Sequence, residues 1–192
     1  LWPSRWRKQT CLMGVINLTP DSFSNDGFYL DPEKANSRAS ELIKEGADVL
    51  DLGPQSTRPM SREVGVEEEL RRLTPALLAI RESNPESIIS VDTFNSKVAD
   101  FALNNGANWI NDISGGRRDP DLLRIVAEAQ CPYVLTHSRG DSRSMDDLAS
   151  YKQITNDVTQ GLLRRTDAAI KAGLNLDNII WDPGLGFAKT NE

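Results

Sequence analysis

The chain has 192 residues, 22 Lys+Arg against 28 Asp+Glu, a net charge of −6 and 39% hydrophobic residues. That is enough chain to bury a sizeable core, and its composition is too ordinary for disorder. No apolar run approaches the roughly 18 residues of a membrane span, no signal-peptide core is visible, and the acidic balance speaks against a nucleic-acid groove. The single histidine excludes a multi-histidine metal site within the chain. Cys11 and Cys131 lie 120 positions apart with no Cys-x-x-Cys, so they read as two buried free thiols in a reducing compartment.

In chain order, short apolar runs alternate with amphipathic stretches. Trp2-Pro3-Ser4-Arg5-Trp6-Arg7-Lys8 is basic and aromatic, and residues 1–9 read as a linker end or a hairpin plugging the bottom of a barrel. Cys11–Ile16 is the first strand, ending at Asn17. Asp31-Pro32-Glu33 predicts a helix with Asp as N-cap and Pro at N1. Ala35, Ala39, Leu42 and Ile43 give it an apolar face, and Gly46 stops it. A second strand spans Ala47–Leu52, ending at Gly53. Glu67-Glu68-Glu69 opens a second helix with acids at its positive end, striped by Leu70, Leu73, Leu77 and Ile80. Pro75 predicts a kink or restart within it.

The third strand is Ile88–Val91, ending at Asp92, and its helix runs through Val98, Phe101 and Ala102 to Gly106. The fourth is Trp109–Ile113, with Asp119-Pro120 as cap and N1 of the next helix. The fifth is Pro132–Thr136, followed by a polar loop and a long helix from about Tyr151 to Ala172, ending at Gly173. The sixth is Asn178–Asp182. A strand–helix unit of about 30 residues repeated in this way means a parallel sheet covered by helices. Either a doubly wound open sheet or a (β/α)8 barrel fits. The absence of G-x-G-x-x-G after the first strand weakens the dinucleotide-binding version.

Polar residues recur at strand C-terminal ends: Asn17, the Gln55–Arg58 loop, Asp92, Asn111, His137 and Asp182. Both folds place active sites at that edge. A lone Asp or Asn there is usually a cap. Capping does not explain Asn111, inside an apolar run, or Asp182-Pro183-Gly184, where no helix starts. Asp92, Asn111 and Asp182 suit a flat heterocycle with adjacent N–H donors. Ser56, Thr57 and Arg58 suit a phosphate, and Asn17 offers a hard oxygen to Mg²⁺ if substrate phosphates supply the other ligands.

Asn17-Leu18-Thr19-Pro20-Asp21-Ser22-Phe23-Ser24, Ser56-Thr57-Arg58-Pro59, Ser90-Val91-Asp92-Thr93, Asn111-Asp112-Ile113 and Asp182-Pro183-Gly184-Leu185-Gly186-Phe187-Ala188-Lys189 resemble dihydropteroate synthases in order and spacing over essentially the whole chain. Gln55 and the Gly186–Lys189 ending look more like the multifunctional folate enzymes of eukaryotes, which are cytoplasmic or mitochondrial. The resemblance implies a (β/α)8 barrel that condenses 6-hydroxymethyl-7,8-dihydropterin diphosphate with 4-aminobenzoate to 7,8-dihydropteroate and diphosphate. It implies Asp92, Asn111 and Asp182 for the pterin, and Thr57, Arg58 and His137 for the diphosphate. Asn17 would hold Mg²⁺, while Pro59, Phe187 and Ser22 would line the 4-aminobenzoate pocket. The catalytic set would be Asp92, Asn17 and Arg58.

Two positions depart from the family pattern. Pro54 stands where a second Gly is usual, which predicts an altered loop, and Thr136 where Met is common, which predicts a looser pterin contact. The family's Ser-Arg-Lys and Arg-Val-His motifs, on strands seven and eight, do not occur, nor do the helices of its homodimer. The whole of 1–192 therefore reads as the first three quarters of a barrel, six strands and five helices, C-terminally truncated, with little activity and poor solubility alone. A methyltetrahydrofolate-dependent methyltransferase shares the pterin pocket but not the Pro20–Ser24 and Ser56–Pro59 motifs. A non-catalytic pterin-binding remnant is the remaining alternative.

Overall fold

In the computed structural model, the described residues are 1–19, 31–55, 63–140, 144 and 146–189. Six strands alternate with five helices: β1 (Met13–Asn17), α1 (Pro32–Lys44), β2 (Val49–Gly53), α2 (Val66–Ser83), β3 (Ile88–Asp92), α3 (Ser96–Asn104), β4 (Trp109–Asp112), α4 (Leu122–Ala129), β5 (Tyr133–Thr136), α5 (Ile154–Lys171) and β6 (Ile179–Asp182). All strand pairs are parallel, and the sheet order follows the chain from β1 to β6. A doubly wound sheet would reverse direction at a switch point, and this one does not. It is the strand order of a (β/α)8 barrel, left open between β1 and β6.

The helices cover one face. Leu50, Leu52, Ile89, Val91, Ile110, Tyr133 and Leu135 share a single core with Ala35, Ala39, Leu73, Leu77, Ile80, Val98, Val126 and Leu162 from the helices. Local signals act as the sequence predicts for α1: Asp31 accepts from the Glu33 and Lys34 amides at 3.1 and 3.2 Å. Elsewhere tertiary contacts prevail. α2 runs uninterrupted through Pro75. α4 starts at Leu122, because the Asp119 carboxylate accepts from the amides of Asp121 and of Ser96, at the start of α3, and so caps its neighbour. Cys131 is buried and its thiol pushed up to about 12 by burial, but Cys11 is only partly covered, so the expectation of two buried thiols holds for Cys131 alone.

The opposite face of the sheet is apolar at the strands' N-terminal ends. Val49, Trp109 and Val134 pack there with Ile88, Ile180, Trp2 and Trp6. The rings of Trp2 and Trp6 lie 5.3 and 5.7 Å from that of Trp109, whose indole N–H donates to the Leu1 carbonyl at 2.6 Å. Arg5 fixes the lead-in by a two-pronged contact with Asp48 at 2.7 and 2.6 Å. No strand forms in residues 1–9.

Candidate active site

Side chains alternate across a strand, so the residues between the helix-facing ones share the inner face. On β2 these are Val49, Asp51 and Gly53, on β3 Ile88, Ser90 and Asp92, and on β4 Trp109 and Asn111. On β5 they are Val134 and Thr136, and on β6 Ile180 and Asp182. The inner face therefore changes from apolar to polar along the strands. With Asn17 at the end of β1, its C-terminal half gathers three carboxyls, two amides and two hydroxyls among the described residues. Register places Asp51 opposite Ser90, Asp92 opposite Asn111, and Thr136 opposite Asp182.

Asn111 Nδ2 donates to Asp51 Oδ2 at 3.0 Å. Asp51 is 4% exposed. Burial raises its pKa, against the opposing pull of Ser90 and Asn111. Asp92 is pushed well above the usual carboxylate range, first by burial and then by the charges of Asp51, Asp112 and Glu69. This corner of the cleft thus has high proton affinity, and the same negative potential favours any positive charge placed there. Asp112 shares the strand with Asn111 but points the other way. It accepts from the Ser114 and Gly116 amides and the Tyr133 hydroxyl at 2.7, 2.6 and 2.6 Å, which makes it a loop-holding residue.

At the other side of the cleft, Thr136 donates to Asp182 Oδ2 at 3.3 Å, and Asp182 Oδ1 accepts from the Gly184 amide at 2.7 Å. Thr136 thus orients a pocket carboxylate, a use the sequence expectation of a looser contact did not include. Gly184 has φ +66, and a Cβ there would fall 2.1 Å from the His137 carbonyl oxygen, so only glycine fits the turn. Lys189 folds back over this turn: its ammonium donates to the Gly184 and Phe187 carbonyls at 2.9 Å and lies 3.2 Å from His137 Nδ1. His137 is buried, its ring pressed against Gly161 of α5. Burial, followed by the charges of Lys189 and Arg139, lowers its pKa to about 4, so the imidazole is neutral at pH 7.

The structure brings Asp92, Asn111 and Asp182 to strand ends on one inner face; the His137 amide donates to the Asp182 carbonyl at 2.8 Å, and Phe187 is half-buried in the turn that follows. Asn17 ends β1 opposite Gly53, with an exposed side chain. Ser22, Ser56, Thr57, Arg58 and Pro59 lie outside the described residues. Pro54 is buried, and its carbonyl accepts from Arg72 at 3.1 Å. Among the described residues, no group of three or more His, Cys, Asp and Glu side chains is placed to hold a metal ion. The donor set at Asn17 is one neutral amide oxygen, which suits a hard cation whose remaining ligands come from a substrate. Sequence reasoning left out Asp51 and Lys189 as site residues and read Thr136 only as a looser pterin contact. Asp51 carried a usable signal, a charge in the middle of the buried strand Val49–Gly53.

A family model described as pterin binding enzyme matches residues 13–192. The mitochondrial folate synthesis bifunctional protein of Pisum sativum is 44% identical over 192 residues, covering 97% of this chain and 37% of that protein. The chain spans 35% to 40% of the length of the plant relatives it matches. Among solved structures, the dihydropteroate synthase of Xanthomonas albilineans with 4-aminobenzoic acid superposes with a TM-score of 0.85 at 38% identity, covering 95% of this chain and 64% of that one. The dihydropteroate synthase of Anaplasma phagocytophilum with bound 6-hydroxymethylpterin-monophosphate gives 0.82 at 34%, covering 94% and 68%.

Proposed function

The chain belongs to the pterin-binding enzyme family, and from that premise we propose that it carries the pterin half of a dihydropteroate synthase site. The reaction joins 6-hydroxymethyl-7,8-dihydropterin diphosphate to 4-aminobenzoate, releasing diphosphate. The observation that carries this reading is the rim of Asp92, Asn111 and Asp182 on one inner face, with Asp51 and Thr136 holding two of them in place.

Asp92, Asn111 and Asp182 accept N–H groups from the edge of the pterin ring. The bond from the exocyclic carbon to the diphosphate oxygen breaks first, and positive charge spreads into the ring. Burial is the main reason the proton affinity of Asp92 is raised; the carboxyls of Asp51, Asp112 and Glu69 that add to it favour that positive charge. The arylamine nitrogen then attacks the exocyclic carbon and gives up a proton. Thr57 and Arg58 take the diphosphate, His137 serves as wall on that side of the cleft, and Ser22, Pro59 and Phe187 enclose the 4-aminobenzoate. Asn17 would hold Mg²⁺ together with the diphosphate oxygens, and the ion would supply charge neutralisation for the leaving group. The Pisum sativum relative is a mitochondrial protein, which supports an intracellular, mitochondrial or cytoplasmic place for this one.

The test is formation of 7,8-dihydropteroate from the two substrates by the full protein. Asp92→Asn is expected to lower kcat by about 10²-fold, the usual scale for removing one preorganised electrostatic contact. Methyl transfer from a methylated folate, with no condensation, would overturn the assignment.

A further inference from the structure

We propose that Asp51 is a positioning residue that sets the hydrogen-bonding polarity of the pterin pocket by fixing the amide of Asn111. The inference rests on the pterin reading above. A primary amide has a donor end and an acceptor end, and a pocket that recognises one edge of a heterocycle must present the right one. Asn111 gives an amide hydrogen to Asp51 Oδ2 at 3.0 Å. With Asp51 Oδ2 as the acceptor, the reverse amide orientation would set two oxygens against each other. Asp51 therefore turns Oδ1 of Asn111 towards the cleft as an acceptor for a ligand N–H.

The alternative is that Asp51 is structural, and its surroundings argue against that. Asp112, two strands away on β4, holds two backbone amides and a tyrosine hydroxyl. Among the described residues, the hydrogen bond that Asp51 makes within distance is the one to Asn111, and Ser90 lies beside it in register. Its other oxygen, Oδ1, and the hydroxyl of Ser90 opposite it are buried without a partner among the described residues. Among the described residues, no ion pair to Asp51 forms. A carboxyl buried in this way costs stability. What it does for the chain is hold the amide, and the fold should survive without it.

The experiment is isothermal titration of the full protein with 6-hydroxymethylpterin, using Asp51→Val, Asp51→Asn, Asn111→Ala and the double variant Asp51→Val/Asn111→Ala. Valine matches the apolar residues lower on the inner face and cannot accept. It is expected to weaken binding about tenfold, the scale of one net hydrogen bond. Asparagine at 51 still offers an oxygen and is expected to stay within about threefold. In the Asn111→Ala background, Asp51→Val is expected to cost nothing further, because no amide remains to orient. Unchanged binding by Asp51→Val, a full loss that persists in the double variant, or failure of Asp51→Val to fold would each overturn the inference. Absence of binding by the unsubstituted protein would instead overturn the pterin reading itself.

Discussion

Burial holds the Glu69 carboxyl at about 7, although Thr93 and Asn95 both donate to it. Its folded pKa lies above its ordinary value of 4.5. Its contribution to stability is thus fully present below about 4.5 and is lost as pH rises through about 7. Asp51, Asp92 and Asp112 are raised as well and act in the same direction. His137 opposes them: its pKa is lowered to about 4, so its contribution is present above 6.5 and is lost as pH falls through about 4. Glu69→Gln removes one group whose stabilising contribution falls as pH rises. A glutamine can give its nitrogen to Thr93 and keep its oxygen for Asn95. The variant is expected to gain on the order of 1–3 kcal/mol relative to the parent between pH 5 and 8, read from urea midpoints across that range. An equal gain at every pH would show that Glu69 does not titrate there. His137 is the only histidine, so one imidazole signal reports its charge in solution. It is expected to titrate near 4, and Lys189→Met to raise that value while leaving it below 6.5, because burial is the larger cause.

α5 shows how one element is shaped by what lies beneath it. Gly161 sits inside this helix, where alanine would ordinarily add up to about 1 kcal/mol of stability. A Cβ at that position would fall 2.6 Å from Cδ2 of His137, whose ring is confined by Lys189. Overpacking of this kind costs about 1–3 kcal/mol, so Gly161→Ala is expected to destabilise the protein by about 1 kcal/mol net. A variant more stable than the parent would show that the ring gives way freely. The same comparison marks what was legible in the sequence. Caps and stripes that act within one element, such as Asp31 and the Leu73–Leu77–Ile80 stripe, placed α1 and α2 correctly. Asp119-Pro120 misled because its carboxylate is used by α3, a partner 23 positions away that no local rule contains. Asp92, Asn111 and Asp182 were legible because strand ends converge in any parallel barrel-like sheet. Asp51 showed only as a charge within a buried strand; its partner, Asn111, lies 60 positions on and two strands across the sheet, which no local rule contains.

At the scale of the molecule, the open sheet has two edges with different chemistry. On β1, inner-face Met13 and Val15 are 37% and 53% exposed. On β6, Trp181 on the helix side is 44% exposed, held by one hydrogen bond to Thr166 at 2.8 Å. Each edge also presents a row of backbone N–H and C=O groups able to pair with another chain. A net charge of −6 opposes association at long range, but screening confines that repulsion to roughly 8 Å at physiological salt. The 192-residue chain studied alone is therefore expected to sediment above its monomer mass of 21.3 kDa, increasingly so with concentration and salt. Val15→Lys places a charge on the apolar face of β1 and removes its fit to a partner strand. It is expected to shift the isolated chain towards monomer without loss of helix content, since Val15 is not part of the helix-packed core. If the unsubstituted chain were a monomer at every concentration and salt, the edges would have to be protected by contacts other than those of the described residues.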